Sequence, residues 1–212
     1  MLRRVAVSPR QPFPWALTYT NIRSYVFTIV FVSLAVVTPW VFHQFHLAGP
    51  IFLPMHVFVL MAGLLFGWRA GLIVGLFTPL VSYGLSGMPL LAILPQIVVE
   101  LAFYGLAAGM LRKRFNLRVI WSLIGAMIAG RLALLLTLTV LCFGGAIYSP
   151  LSLYTGMGAE ANPLAVLWST ISLGWPGIVI QLVSISVVVK LLERFLERKQ
   201  STKTENEHAF IP

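Results

Sequence analysis

The chain is poor in charge, poorer still in acidic side chains, and nearly without cysteine. Of 212 residues only 10% are charged, six are acidic, and Cys142 is the single thiol. One cysteine excludes an intramolecular disulfide and any cysteine-rich metal site. No Walker A lysine loop, His-Glu-x-x-His pair or Ser-His-Asp order occurs, and a single carboxylate, Glu100, falls within an apolar run. The first apolar run ends in Trp40, Val41, Phe42 and His43. A cleavage site needs small residues there, so this run reads as a retained span rather than a signal peptide.

Apolar side chains fill the space that charge leaves. The chain is 58% hydrophobic with a mean hydropathy of +0.90, against roughly half apolar and a quarter charged in soluble domains. A bilayer-spanning helix takes about 20 mostly apolar residues. The length therefore accommodates one all-α integral membrane protein, a compact bundle of about six transmembrane helices, and leaves no room for a soluble catalytic or nucleotide-binding domain. Apolar runs place the spans at Val26 to Phe42, Ile51 to Phe66, Leu72 to Leu85, Leu90 to Leu111, Val119 to Phe143, and Leu164 to Leu191. Spans two and three are short, contain Pro54 and Pro79, and are joined by a tight Gly-Trp-Arg-Ala-Gly connection at 67–71. Residues 1–24 read as a cytoplasmic or interfacial segment, 25–192 as the bundle, and 193–212 as a polar tail, unstructured from Gln200 onward.

The net charge of +9 would suggest a nucleic-acid partner in a soluble protein. In a membrane protein it is read by position, because Lys and Arg collect on the cytoplasmic side. Arg3, Arg4, Arg10 and Arg23 precede span one, and Arg69 lies between spans two and three. Arg112, Lys113, Arg114 and Arg118 lie between four and five, and Lys190, Arg194, Arg198, Lys199 and Lys203 at or beyond the end of six. The other three connections hold no Lys or Arg. Both termini are thus expected in the cytoplasm, with no nucleic acid bound. Only Arg131, inside span five, breaks the pattern.

The stretch from Phe52 to Pro89, FLPMHVFVLMAGLLFGWRAGLIVGLFTPLVSYGLSGMP, is followed by VVELAFYGLAAGMLRKR and by Ala-Gly-Arg at 129–131. In order, Pro-Met-His, Ala-Gly before Trp-Arg-Ala-Gly, Thr-Pro, Gly-Met-Pro, Glu-Leu-x-x-Tyr-Gly and Ala-Gly-Arg resemble the S-components, the membrane-embedded substrate-binding subunits of bacterial energy-coupling factor (ECF) transporters. The resemblance implies a non-enzymatic six-helix carrier in the bacterial inner membrane. Such a carrier takes up one vitamin or micronutrient from the outer face and docks on a transmembrane coupling subunit with two ATPases. Many relatives dock through Ala-x-x-x-Ala in the first helix; here that stretch reads SYVFTIVFVSLAVV, with only Ser33 and Ala35 small after its first residue. Docking then uses another face, or the protein is a solitary carrier. The substrate stays open among pantothenate, a queuosine precursor, a cobalamin-type corrinoid and other vitamins. Rival readings are a membrane-bound enzyme acting on lipids and a structural subunit of a larger complex. No cofactor is expected.

Ionisable groups inside a span face the bundle interior or a water-filled path. Glu100 lies roughly 15 Å below the outer end of span four, and Arg131 roughly 18 Å above the inner end of span five, at about 1.5 Å per residue. Both approach the midplane on adjacent helices, either as a structural ion pair or as groups that hold a carboxylate, amide or amine of the substrate. Gln96, Glu100 and Tyr104 share one helix face at four-residue spacing. His56, near the outer end of span two, is a packing histidine or a ligand contact. Tyr83 and Met88 at the end of span three, with Trp168, Ser172 and Trp175 on span six, complete the candidate set. Trp168 also suits an interfacial anchor, and Trp175 with Pro176 a kink. His43 and His46 make at best a weak metal pair, and no metal site is expected. Gly71 with Gly75 and Gly105 with Gly109 form Gly-x-x-x-Gly pairs suited to close helix packing, within the bundle or against a partner. The outward connection 144–163, with Tyr148, Tyr154, Glu160 and Asn162, is long enough to act as a lid.

Overall fold

A computed structural model describes residues 22–44, 54–143 and 163–209. Six helices follow one another: α1 (Ile22–Gln44), α2 (Pro54–Phe66), α3 (Trp68–Ser86), α4 (Leu94–Gly109), α5 (Val119–Phe143) and α6 (Pro163–Ala209). The expected all-α bundle is what the chain forms. The described parts of α3, α4, α5 and α6 include segments long and apolar enough to cross a membrane, and α1 and α2 add shorter apolar stretches. The amino-terminal segment, His46 and the connection 144–162 lie outside the described residues, as does the side chain of His43.

The bundle is apolar on both sides, as lipid requires. Its interior is filled by Val59, Leu60 and Leu64 of α2, Val74 of α3, Leu101 and Ala108 of α4, Leu123 and Ala126 of α5, and Ile185 and Val189 of α6. Phe31 of α1 packs edge-on against Phe66 of α2 at 5.5 Å. On the outside of α5, Ile128, Leu132, Leu136 and Val140 repeat every fourth residue and are each more than half exposed. Such a row of exposed hydrocarbon side chains suits the acyl chains of a bilayer or the apolar face of a partner helix.

Several boundaries differ from those expected, two of them for a clear local reason. The connection between α2 and α3 takes the single residue Gly67 at φ 94, a conformation open to glycine and costly for other residues. Trp68 to Gly71 therefore form the first turn of α3 rather than a loop. Helix α4 starts at Leu94 instead of Leu90 because Pro95 sits in its first turn, where a missing N–H leaves no helical hydrogen bond unmade. At the far end α6 continues through the polar tail to Ala209, so residues 200–209 are helical and not the unstructured segment expected.

The glycine pairs are used up inside the bundle. A Cβ on Gly71 would run into the carbonyl of Gly105, one on Gly75 into that of Leu101, and one on Gly109 into the backbone of Trp68. Helices α3 and α4 thus lie backbone to backbone, antiparallel. Gly63 of α2 also abuts Gly105, with Ala108 at 3.1 Å from its Cβ position. Helices α2 and α4 run in the same direction, so His56, seven residues before Gly63, falls level with Glu100. Helix α2, only 13 residues long, begins about one turn deeper than α4.

Candidate functional site

Among the described residues the polar interior gathers around α4. Arg131 Nη1 donates to Glu100 Oε1 at 2.8 Å, an ion pair with side chains 11% and 7% exposed. Tyr104 lies buried one turn along α4 from Glu100, on the same helix face. The His56 ring meets Tyr104 edge-on at 5.1 Å. Gly130 makes this possible: a Cβ there would come within 2.8 Å of the Tyr104 ring. The glycine of Ala-Gly-Arg therefore admits the tyrosine beside the arginine. Gln96 is buried one turn outward from Glu100 on the same face.

Helix geometry leads to the expectation that Glu100 and Arg131 lie at one depth and that Gln96, Glu100 and Tyr104 share one face; the structure brings these four together and adds His56 beside Tyr104. Several of their polar atoms are left over. Arg131 Nε and Nη2 and Gln96 Nε2 have no hydrogen-bond partner although they are buried. A buried unpaired donor costs about 1–3 kcal/mol, more when charged. Such a concentration of unmet donors in a hydrocarbon bundle is a signature of a site that ligand or water completes.

The other candidates lie apart from this cluster in exposure. Trp168 and Trp175 are 71% and 61% exposed on α6, and Ser172, also exposed, donates its hydroxyl to the carbonyl of Ser169. Met88 is exposed and Tyr83 half-buried at the end of α3. No group of three or more metal-ligating side chains occurs among the described residues.

Sequence reasoning passed over Thr78, Gln181 and Ser186, all buried. Thr78 lies one turn outward from Gly75, and the antiparallel register with α4 sets it between the levels of Gln96 and Glu100; its hydroxyl has no partner. The only signal for it was the Thr-Pro pair in span three. Arg112 counts in the sequence only among the cytoplasmic cations between spans four and five, and it is 2% exposed. Its Nη1 donates to the Leu117 carbonyl at 2.8 Å, which ties the π-helical turn Met110–Arg114 to the start of α5.

The family model for the substrate-specific component of ECF transporters matches residues 23–189, from the first helix into the last. The chain belongs to this family. It is accordingly a multi-pass membrane protein and the substrate-specific subunit of a transporter. Among curated proteins and solved structures, none matches the chain significantly.

Proposed function

We propose that this S-component captures a vitamin or related micronutrient from the outer face in the buried cluster of His56, Gln96, Glu100, Tyr104 and Arg131, and releases it inward without covalent chemistry. The observation that carries the reading is the set of unpaired donors on Arg131 and Gln96, side by side with a neutralised ion pair. A pair present only for stability needs no free donors around it, and breaking even with apolar packing is the usual outcome for such pairs.

Orientation follows from charge. With Arg69 and the 112–118 cluster facing the cytoplasm, the amino-terminal ends of α2 and α4 open outward, toward the supply of substrate, and both chain termini lie inside. Transport then depends on a shared ECF coupling subunit and its ATPases. Helix α1 offers that partner Ser33 on an exposed face, whereas Ala35 is fully buried, so docking uses a surface other than an Ala-x-x-x-Ala stripe. Whole-cell uptake of a vitamin panel, with and without the protein and with and without the coupling subunit, tests the reading. Uptake that requires both is expected. Uptake unchanged by loss of the coupling subunit would make the protein a solitary carrier, and no uptake or binding of any compound would reject the carrier role.

A further inference from the structure

The unmet groups of the cluster restrict what the ligand presents to it. All three unpaired nitrogens of Arg131 and Gln96 are donors. A ligand amine would meet donors with donors, so the complementary ligand group is an acceptor. Its shape follows from the guanidinium. Nη1 is engaged by Glu100, and the two unpaired nitrogens, Nε and Nη2, form the opposite edge of the plane. Their N–H groups run parallel and about 2.3 Å apart, the separation of the two oxygens of a carboxylate, which is why arginine binds that group through two parallel hydrogen bonds.

Charge decides between a carboxylate and a neutral group with two acceptors. The Glu100–Arg131 pair is neutral by itself, so an added anion needs further positive potential. Helix α2 supplies it. Its first turn, Pro54 to Val57, begins level with Gln96 to Glu100, and His56 in that turn touches Tyr104. The amino-terminal end of a helix carries about half a positive charge, which favours an anion. The Gly63–Gly105 and His56–Tyr104 contacts set that end near the level of Glu100.

We propose that the ligand is a carboxylic acid whose carboxylate is gripped by Nε and Nη2 of Arg131 in front of the first turn of α2, with the Gln96 amide as a further donor. The inference rests on the carrier reading above but fails separately from it. Purified protein in lipid nanodiscs would be incubated with a small-molecule extract of bacterial cells. In parallel it would meet the same extract after its carboxylates have been converted to methylamides with carbodiimide and methylamine. Retained compounds are then identified by mass spectrometry. The wild-type protein is expected to retain a compound from the untreated extract and to retain at least about tenfold less of its amidated form. Arg131→Lys, which keeps a cation facing Glu100 but lacks the planar edge, should unfold at nearly the wild-type temperature while binding the retained acid about 10- to 100-fold more weakly. Equal retention from both extracts, or a retained compound without a carboxylate, would overturn the inference and leave the carrier reading standing. Retention of nothing from either extract would overturn both.

Discussion

Removing Arg131 and Glu100 singly and together separates what the pair does for the fold from what it does for the ligand. The partners are 2.8 Å apart and nearly excluded from solvent. At an effective dielectric of about 20 and a charge separation of about 4 Å their attraction is on the order of 4 kcal/mol. Arg131→Met strips the Glu100 carboxylate of its cation, and a buried charge stranded in this way costs about 3–5 kcal/mol. Glu100→Gln strands the guanidinium instead and should fall at the lower end of that range, since the amide oxygen still accepts from Nη1. The double variant holds no charge in the layer, so its loss should be smaller than that of Arg131→Met alone, with a coupling energy of at least about 2 kcal/mol. Thermal unfolding of the four proteins in one detergent measures this cycle, and ligand retention is measured beside it. The double variant is expected to be stable yet unable to bind. Normal binding by the double variant would refute the assignment of this cluster as the site, and additive losses would refute the ion pair.

Other consequences follow from packing and charge. Gly105→Ala must separate α3 from α4 and should cost at least about 1–3 kcal/mol, whereas Gly84→Ala, with nothing within 4 Å of its Cβ position, should be neutral or slightly stabilising by helix propensity; equal unfolding temperatures for the two would contradict the backbone contact. Arg112→Met, which removes the bond to the Leu117 carbonyl, should lower stability by about 1.5–3 kcal/mol, and Arg114→Gln, at an exposed position, by less than about 0.5 kcal/mol. In a Cys142→Ser background, cysteines at Ser86 and Gly158 should react with an impermeant thiol reagent added to sealed cells, and one at Phe115 should not; labelling at Phe115 would invert or abolish the proposed orientation.

Much of this was legible in the sequence because lipid makes the rules strict. Glu100 and Arg131 stood out as ionisable groups in apolar runs, and a rise of about 1.5 Å per residue was enough to bring them to one depth. Four-residue spacing added Gln96 and Tyr104, and the Gly-x-x-x-Gly pairs announced a close approach that proved to be α3 on α4. What spacing does not carry is register between helices. The level of His56 with Glu100 depends on Gly63 meeting Gly105, and the deep start of α2 depends on the same contact. Arg112 looked like one more cation in a basic loop, because composition does not say which of four neighbouring charges turns inward to hold a carbonyl. Gln181 and Ser186 are single polar residues in apolar stretches with nothing in their surroundings to mark them as buried, and Thr78 had only its place before Pro79. The aromatic residues of α6 suggested a ligand wall by helical spacing, but the same spacing describes the exposed face on which Trp168 and Trp175 lie.

The most direct test of the central claim is an experimental structure of the protein holding the compound it retains from cells. The account predicts ligand density in the layer of His56, Gln96 and Tyr104, with a ligand oxygen within about 3.2 Å of Arg131 Nε and the Arg131–Glu100 bond in place. Ligand bound elsewhere, for instance against Trp168, Ser172 and Trp175, with the Arg131 edge untouched, would contradict it.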